Sequence, residues 1–146
     1  MPVFKPKKLY VKLKAATSEL PPLPPINTPS AVIGAAQKVI GDNAYETFLV
    51  LYLNNQNNVF AYEEFTDGGL SSVTVHPSTV IRNAVIIGAR AIITVHQHPS
   101  GINTPSDDDL RLWKKLKEQA DFMDLALLDN FIITDSGYYS EMENGR

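Results

Sequence analysis

The chain has 146 residues, 44% hydrophobic and 20% charged, so it is long and apolar enough to fold as one domain with a buried core. It contains no cysteine, which excludes disulfide bonds, thiolate metal sites, a cysteine nucleophile and the cysteine-bearing zinc deaminase signature. No apolar run approaches the length of a membrane span and the N-terminus lacks the apolar core of a signal peptide, so we expect a soluble, cytoplasmic protein.

Residues 1–29 are predicted to form a basic, proline-rich arm. Five lysines precede the first acidic residue, Glu19, although the whole chain carries a net charge of −3. The stretch 20–29, "LPPLPPINTP", has five prolines, which favours extended backbone and excludes a regular helix. The lysines form either a solvated tail or a surface for weak contact with nucleic-acid phosphates.

The first elements of the domain, residues 30–146, are a helix and a hairpin. Thr28 and Pro29 are typical of a helix start, so we predict a helix over residues 31–40 that stops at Gly41. The stretches "YETFLVLYLN" (45–54) and "VFAYEEF" (59–65) flank an asparagine-rich turn and predict an antiparallel hairpin. "LSSVTV" (70–75) predicts a third strand.

Helices and strands then alternate. Apolar residues at helical spacing predict a helix over 77–89, and "AIITVHQH" (91–98) predicts a buried strand. A second helix should cover about 107–122, "LALLDNFIIT" (125–134) supplies one or two strands, and "YYS" (138–140) ends a final strand after a turn. This order predicts an α/β fold of the mixed α+β kind, with helices flanking a curved sheet.

Two of the three histidines lie one residue apart at the end of the buried strand. Residues i and i+2 of a strand face the same side, so His96 and His98 project together, about 6.6 Å apart along the strand. Such a pair can bind one metal ion. It also occurs by chance at the rim of a sheet, so the assignment depends on a third ligand.

Asp109 is the best candidate for that ligand. Ser106 and Asp109 have the spacing of a capping box, which is by itself a structural reason for both. However, Asp109 begins the apolar stripe that continues at Trp113, whereas Asp107 and Asp108 fall off it. A buried carboxylate must be paired or must bind a cation. Two histidines and one carboxylate are the three-ligand set of a catalytic zinc site.

The spacing of these residues resembles the JAMM (MPN-plus) metalloprotease signature, His-x-His, seven residues, Ser, two residues, Asp, at positions 96, 98, 106 and 109. The short segments "HPSG", "TPS", "LLDNFII" and "YYS" make residues 30–146 similar to the JAMM (JAB) domain of the RadC family. The resemblance implies a single MPN/JAMM-like domain with a three-layer, cytidine-deaminase-like fold. We expect it to stand alone, without the helix-hairpin-helix segment that precedes it in many relatives.

The resemblance also implies a zinc-dependent hydrolase, a metallopeptidase or isopeptidase-like enzyme acting on a peptide or isopeptide-like substrate. His96, His98 and Asp109 would hold one Zn²⁺ ion, and metal-activated water would attack an amide carbonyl with Glu46 as general acid and base. Ser106 would stabilise the oxyanion with its hydroxyl hydrogen while its oxygen caps the helix. The alternative is a DNA-repair-associated metal-binding interaction module with little or no hydrolytic activity.

Other polar residues are weaker candidates. Glu46 shares a predicted strand face with apolar residues, which indicates either a functional acid or a solvated strand end; Glu63 and Glu64 are its rivals but are more typical of rim charges. His76 matches no metal position of the family and is predicted to be a polar strand end. Asp129 is a candidate to orient a ligand histidine, although Asn130 stands beside it where relatives commonly have histidine.

Overall fold

The computed structural model describes residues 5–9, 23–41, 45–66 and 74–145. Three helices and five strands occur within these ranges. In chain order they are α1 (Pro29–Ile40), β1 (Thr47–Leu53), β2 (Val59–Thr66), α2 (Pro77–Ile86), β3 (Ala91–Gln97), α3 (Asp107–Phe122), β4 (Ala126–Thr134) and β5 (Gly137–Ser140).

The strands form one mixed sheet in the order β2-β1-β3-β4-β5. β1 is antiparallel to β2, which confirms the predicted hairpin, and also antiparallel to β3. β3 and β4 are parallel, so they need a crossover, and α3 provides it. "LALLDNFIIT" gives one strand, β4, with β5 antiparallel beside it. The predicted mixed α/β fold is confirmed.

The helices cover both faces of the sheet. Leu49, Leu51 and Leu53 of β1 face α1 and belong to one core cluster. The alternate residues, such as Phe48 and Val50, face α2 and α3 in a second cluster. Every residue of β1 is buried, because a central strand covered on both faces needs apolar side chains at consecutive positions. The result is the three-layer arrangement that the resemblance implies.

Capping residues explain where the helices begin and end. The Thr28 side chain accepts a hydrogen bond from the Ala31 backbone N–H (3.2 Å), and Gly41 ends α1 with a φ of 60°. α2 ends at Ile86, three residues earlier than predicted, because the chain turns at Gly88, where φ is 74°. None of the helices in the described ranges is long and apolar enough to cross a membrane.

Two sequence predictions fall largely outside the described residues. Of the predicted strand 70–75, the structure describes only Thr74 and Val75, and neither is in a strand. Of the predicted arm 1–29, it describes 5–9 and 23–29. Ile26 is buried, and its backbone N–H donates to the Asn57 carbonyl (2.8 Å), so the last residues of the predicted arm pack on the domain.

Candidate metal centre

Three chain segments meet at one end of the central strands. The antiparallel register of β1 and β3 pairs Phe48 with His96, so Glu46, just before β1, lies near His98, just after β3. The loop after His98 then returns the chain, and α3 begins with its first turn against the same strand end. Asp109, in that first turn, is the most deeply buried of the four site residues, with 3% of its side chain exposed.

The Asp109 carboxylate contacts both histidine rings. Its Oδ1 lies 2.7 Å from His96 Nδ1, and its Oδ2 lies 3.2 Å from His98 Nε2. The two rings are themselves in edge contact, with centroids 4.7 Å apart and planes at 80°. The ligand atoms of Glu46, His96 and His98 all lie within 4.8 Å of one another. The structure therefore brings together the two histidines and the two acids that the sequence singles out.

The hydrogen bond of His98 Nδ1 to the chain fixes the orientation of the His98 ring. Nδ1 lies 2.8 Å from the Ile102 carbonyl oxygen, which only accepts, so Nδ1 carries the hydrogen. In the neutral ring, Nε2 is then an acceptor that faces Asp109 Oδ2, also an acceptor. Either a second proton on the ring or a metal ion can lie between these two acceptors, and their separation of 3.2 Å is close to the separation of about 3.3 Å between two ligands bound tetrahedrally to zinc.

The neutral His96 ring can supply a proton to only one of its two carboxylate neighbours. Nδ1 faces Asp109 Oδ1, and Nε2 lies 2.8 Å from Glu46 Oε1, but a neutral imidazole carries only one of the two protons. The contact at Nε2 is not a hydrogen bond, and this buried atom has no hydrogen-bond partner within the described part of the chain. A buried ring nitrogen that makes no hydrogen bond there and lies beside the Glu46 carboxylate fits a site for a cation.

The charged groups of the site shift the pKa values of Asp109 and His98. Burial alone would raise the pKa of the Asp109 carboxyl, but hydrogen bonds from His96, His98 and the Ser106 backbone outweigh it and hold that pKa well below its usual range. The Asp109 carboxylate in turn raises the pKa of the His98 imidazole, against the opposing effect of burial. Both shifts report a pocket that favours positive charge next to Asp109.

Ser106 and Asp109 form the predicted capping box at the start of α3. The Asp109 backbone N–H donates to Ser106 Oγ (3.1 Å), and the Ser106 backbone N–H donates to Asp109 Oδ2 (2.8 Å). The sequence predicts a Ser106 hydroxyl hydrogen that faces the substrate. In the structure this hydroxyl donates to Asp109 Oδ2, which lies 2.9 Å away. Asp107 and Asp108 are exposed, as the helix pattern predicts.

A groove of about 480 Å³ opens from these residues. Glu46, Phe48, His96 and Asp109 contribute to it, and residues 74–77 and the outer face of α3 also line it. His76 is among the lining residues, so the sequence interpretation of it as a simple polar strand end missed its position. The tripeptide His-Pro-Ser, shared by 76–78 and 98–100, was the available signal, but local turn chemistry explained it equally well.

Two further candidates have partners away from the histidines. The Asp129 carboxylate accepts hydrogen bonds from the Ser140 hydroxyl, the Met142 backbone N–H (3.0 Å) and the Asn130 backbone N–H (2.8 Å), so it ties β4 to the chain after β5 rather than orienting a ligand.

Glu63 likewise accepts from the Tyr52 hydroxyl (2.8 Å) and the Asn83 amide (2.9 Å), linking β2 to β1 and α2. Burial, and then this contact with Glu63, raises the pKa of Tyr52. Glu64 is exposed. Of the three glutamates weighed from the sequence, Glu46 is the one that contacts a histidine of the site.

Comparison with known proteins gives matches over most of the chain. The protein-family model of the RadC-like JAB domain matches residues 26–146. UPF0758 proteins of Thiobacillus denitrificans and Cellvibrio japonicus are 37% and 34% identical to the chain, each over 82% of it and 54% of the relative. A UPF0758 protein of Histophilus somni is 32% identical over 93% of the chain and 65% of the relative. The chain thus spans about half the length of the first two relatives.

Proposed function

Because the chain belongs to the RadC-like JAB domain family, we propose that it is a zinc-dependent hydrolase that cleaves an amide bond in a peptide or isopeptide-like substrate. The observation that carries the proposal is the 3.2 Å contact between His98 Nε2 and Asp109 Oδ2, with the His98 ring oriented by the hydrogen bond from its Nδ1 to the Ile102 carbonyl oxygen. A closed structural zinc site normally has four protein ligands. Here two histidines and Asp109 supply three, and Glu46 stands at the mouth of the groove.

His96, His98 and Asp109 would hold the ion. A bound zinc ion supplies Lewis-acid chemistry: it polarises a carbonyl group and makes water easier to deprotonate. Ile102 orients the His98 ring by accepting its Nδ1 proton, and such outer partners fix the tautomer of a ligand histidine. Burial of Asp109 under the first turn of α3 keeps bulk water away from the ligand oxygens.

Glu46 would move the proton. Its side chain is 26% exposed, more than those of His96 and Asp109, so it reaches both the ligand cluster and the open groove. From this position its carboxylate takes a proton from the attacking water and returns it to the leaving amine. The exposed fraction matters because the group must meet water and substrate in the same reaction.

Ser106 would donate a hydrogen bond to the oxyanion. For this its hydroxyl hydrogen must turn from Asp109 Oδ2, 2.9 Å away, toward the substrate. The oxygen can keep accepting the Asp109 backbone N–H during that turn, since a hydroxyl has one donor and two acceptor sites. The Ser106 backbone N–H also stays bonded to Asp109, so the ligand carboxylate keeps its position.

The test measures metal content and peptide hydrolysis in purified variants loaded with Zn²⁺. Glu46→Gln should retain the metal and lose hydrolysis, because the amide cannot accept the proton, whereas His98→Ala should lose both. Glu64→Gln, an exposed glutamate of β2, is the matched control and should behave as the wild type.

Equal metal loss in Glu46→Gln and His98→Ala would contradict these roles and would make Glu46 a ligand. Full metal binding by the wild type without hydrolysis of any peptide would favour the alternative, a metal-binding interaction module.

A further inference from the structure

One wall of the groove is a stripe of α3. Asp108, Arg111, Leu112 and Lys115 all line the groove, and their spacing of three, four and seven residues puts them on one face of the helix. Residues 74–77, which lead into α2, also line the groove. The groove therefore runs along α3, away from the buried first turn that carries Asp109.

The charges along this stripe are not balanced. Arg111 forms an ion pair with Asp108, and both side chains are exposed. Lys115 is exposed and lies in no ion pair among the residues that the structure describes. Charge next to Asp109 is thus acidic, whereas the groove farther along α3 presents a free ammonium group. A groove with such a gradient favours substrates with a matching negative group.

The distance between Asp109 and Lys115 predicts where in a substrate peptide the negative group lies. Asp109 and Lys115 are six residues apart, which is about 9 Å along a helix axis at 1.5 Å per residue. An extended peptide covers about 3.3 Å per residue, so 9 Å corresponds to about three residues. Phe48, Val75 and Leu112 line the groove and give it an apolar stretch.

We propose, resting on the proposed hydrolase function, that Lys115 is a specificity-determining residue for acidic peptides. Its ammonium group binds a carboxylate about three residues from the scissile amide, as a glutamate or aspartate side chain or a chain terminus supplies. The contact is solvent-exposed, so its contribution is modest and depends on salt.

The experiment uses two labelled, acetylated and amidated heptapeptides that differ in one residue, Glu in one and Gln in the other. Dissociation constants are measured by fluorescence anisotropy on the Zn²⁺-loaded full chain, and cleavage is followed by mass spectrometry in the same samples. At about 50 mM salt the Glu peptide should bind the wild type about three- to fivefold more tightly. At about 0.5 M salt this ratio should fall toward one.

Lys115→Glu should bring the ratio to one or below. Lys114→Glu is the matched control, since Lys114 is the adjacent exposed lysine of α3 and does not line the groove, and it should leave the ratio unchanged. An unchanged ratio in Lys115→Glu, an equal drop in Lys114→Glu, or no binding of either peptide at 1 mM would overturn the inference. Cleavage without a charge preference contradicts the Lys115 inference alone; a Lys115-dependent preference without cleavage contradicts the hydrolase instead.

Discussion

Replacing Asp109 by asparagine separates its structural role from its proposed role as a metal ligand. The amide oxygen in the place of Oδ2 keeps both bonds from Ser106, so the helix cap survives. The amino group in the place of Oδ1 faces His96 Nδ1, and the charged hydrogen bonds to the buried rings are lost. One hydrogen bond to a charged group contributes about 1.5–3 kcal/mol, so we expect the metal-free variant to lose about 2 kcal/mol of unfolding free energy.

Zinc should then distinguish the two proteins further. A ligand that binds only the folded state stabilises it by about 2.7 kcal/mol at 100 times Kd, and in a chain of this length each kcal/mol shifts Tm by about 4 °C. Calorimetry with and without Zn²⁺ should show a rise in Tm of about 10 °C for the wild type and little or none for Asp109→Asn. Asp108→Asn, exposed and one residue away, should match the wild type. A full zinc-induced rise in Asp109→Asn would refute the assignment of Asp109 as a ligand.

Two further substitutions test the oxyanion donor and the packing of α3. Ser106→Ala should lower the rate of hydrolysis by about 10²–10³-fold because it removes the proposed oxyanion donor. It should also lower the unfolding free energy by about 1 kcal/mol because it removes the helix cap. A rate within threefold of wild type, measured at equal metal content, would contradict the role of oxyanion donor. Trp113→Ala should lower the unfolding free energy, measured by denaturant unfolding, by about 3–5 kcal/mol, because Trp113 is 1% exposed and stacks on Tyr139. Phe122 is 88% exposed, so Phe122→Ala should change the unfolding free energy by no more than about 0.5 kcal/mol.

The elements that the sequence predicts best are those with local signals. The bounds of α3, Asp107–Phe122, agree with the prediction because a capping box starts the helix and an apolar stripe runs through it. α1 is similarly marked by Thr28 and Gly41. The end of α2 was predicted too late, since its apolar residues continue past the point where Gly88 turns the chain.

Contacts between residues far apart in the sequence could not be predicted from these local signals. Glu46 and His98 are separated by more than 50 residues, and they meet only because β1 pairs antiparallel with β3. Nothing in the composition of either strand specifies that neighbour, because both are apolar enough to lie anywhere in the centre of a sheet. For this reason the sequence left Glu46, Glu63 and Glu64 as alternative candidates, and it did not predict that His76 lines the groove. The direction of the Ser106 hydroxyl depends on atomic positions that no residue pattern encodes.

Asp109 couples the start of α3 to the candidate metal centre through separate atoms. A carboxylate offers about four acceptor positions, and here Oδ2 takes two bonds from Ser106 while Oδ1 faces His96. The capping bonds from Ser106 are present without a cation. The helix start can therefore hold the carboxylate in place before any ion arrives, so that little ordering entropy is lost on binding. A capping residue that is also the proposed ligand would explain why an acid is buried at this position while its two exposed neighbours serve only the charge of the helix end.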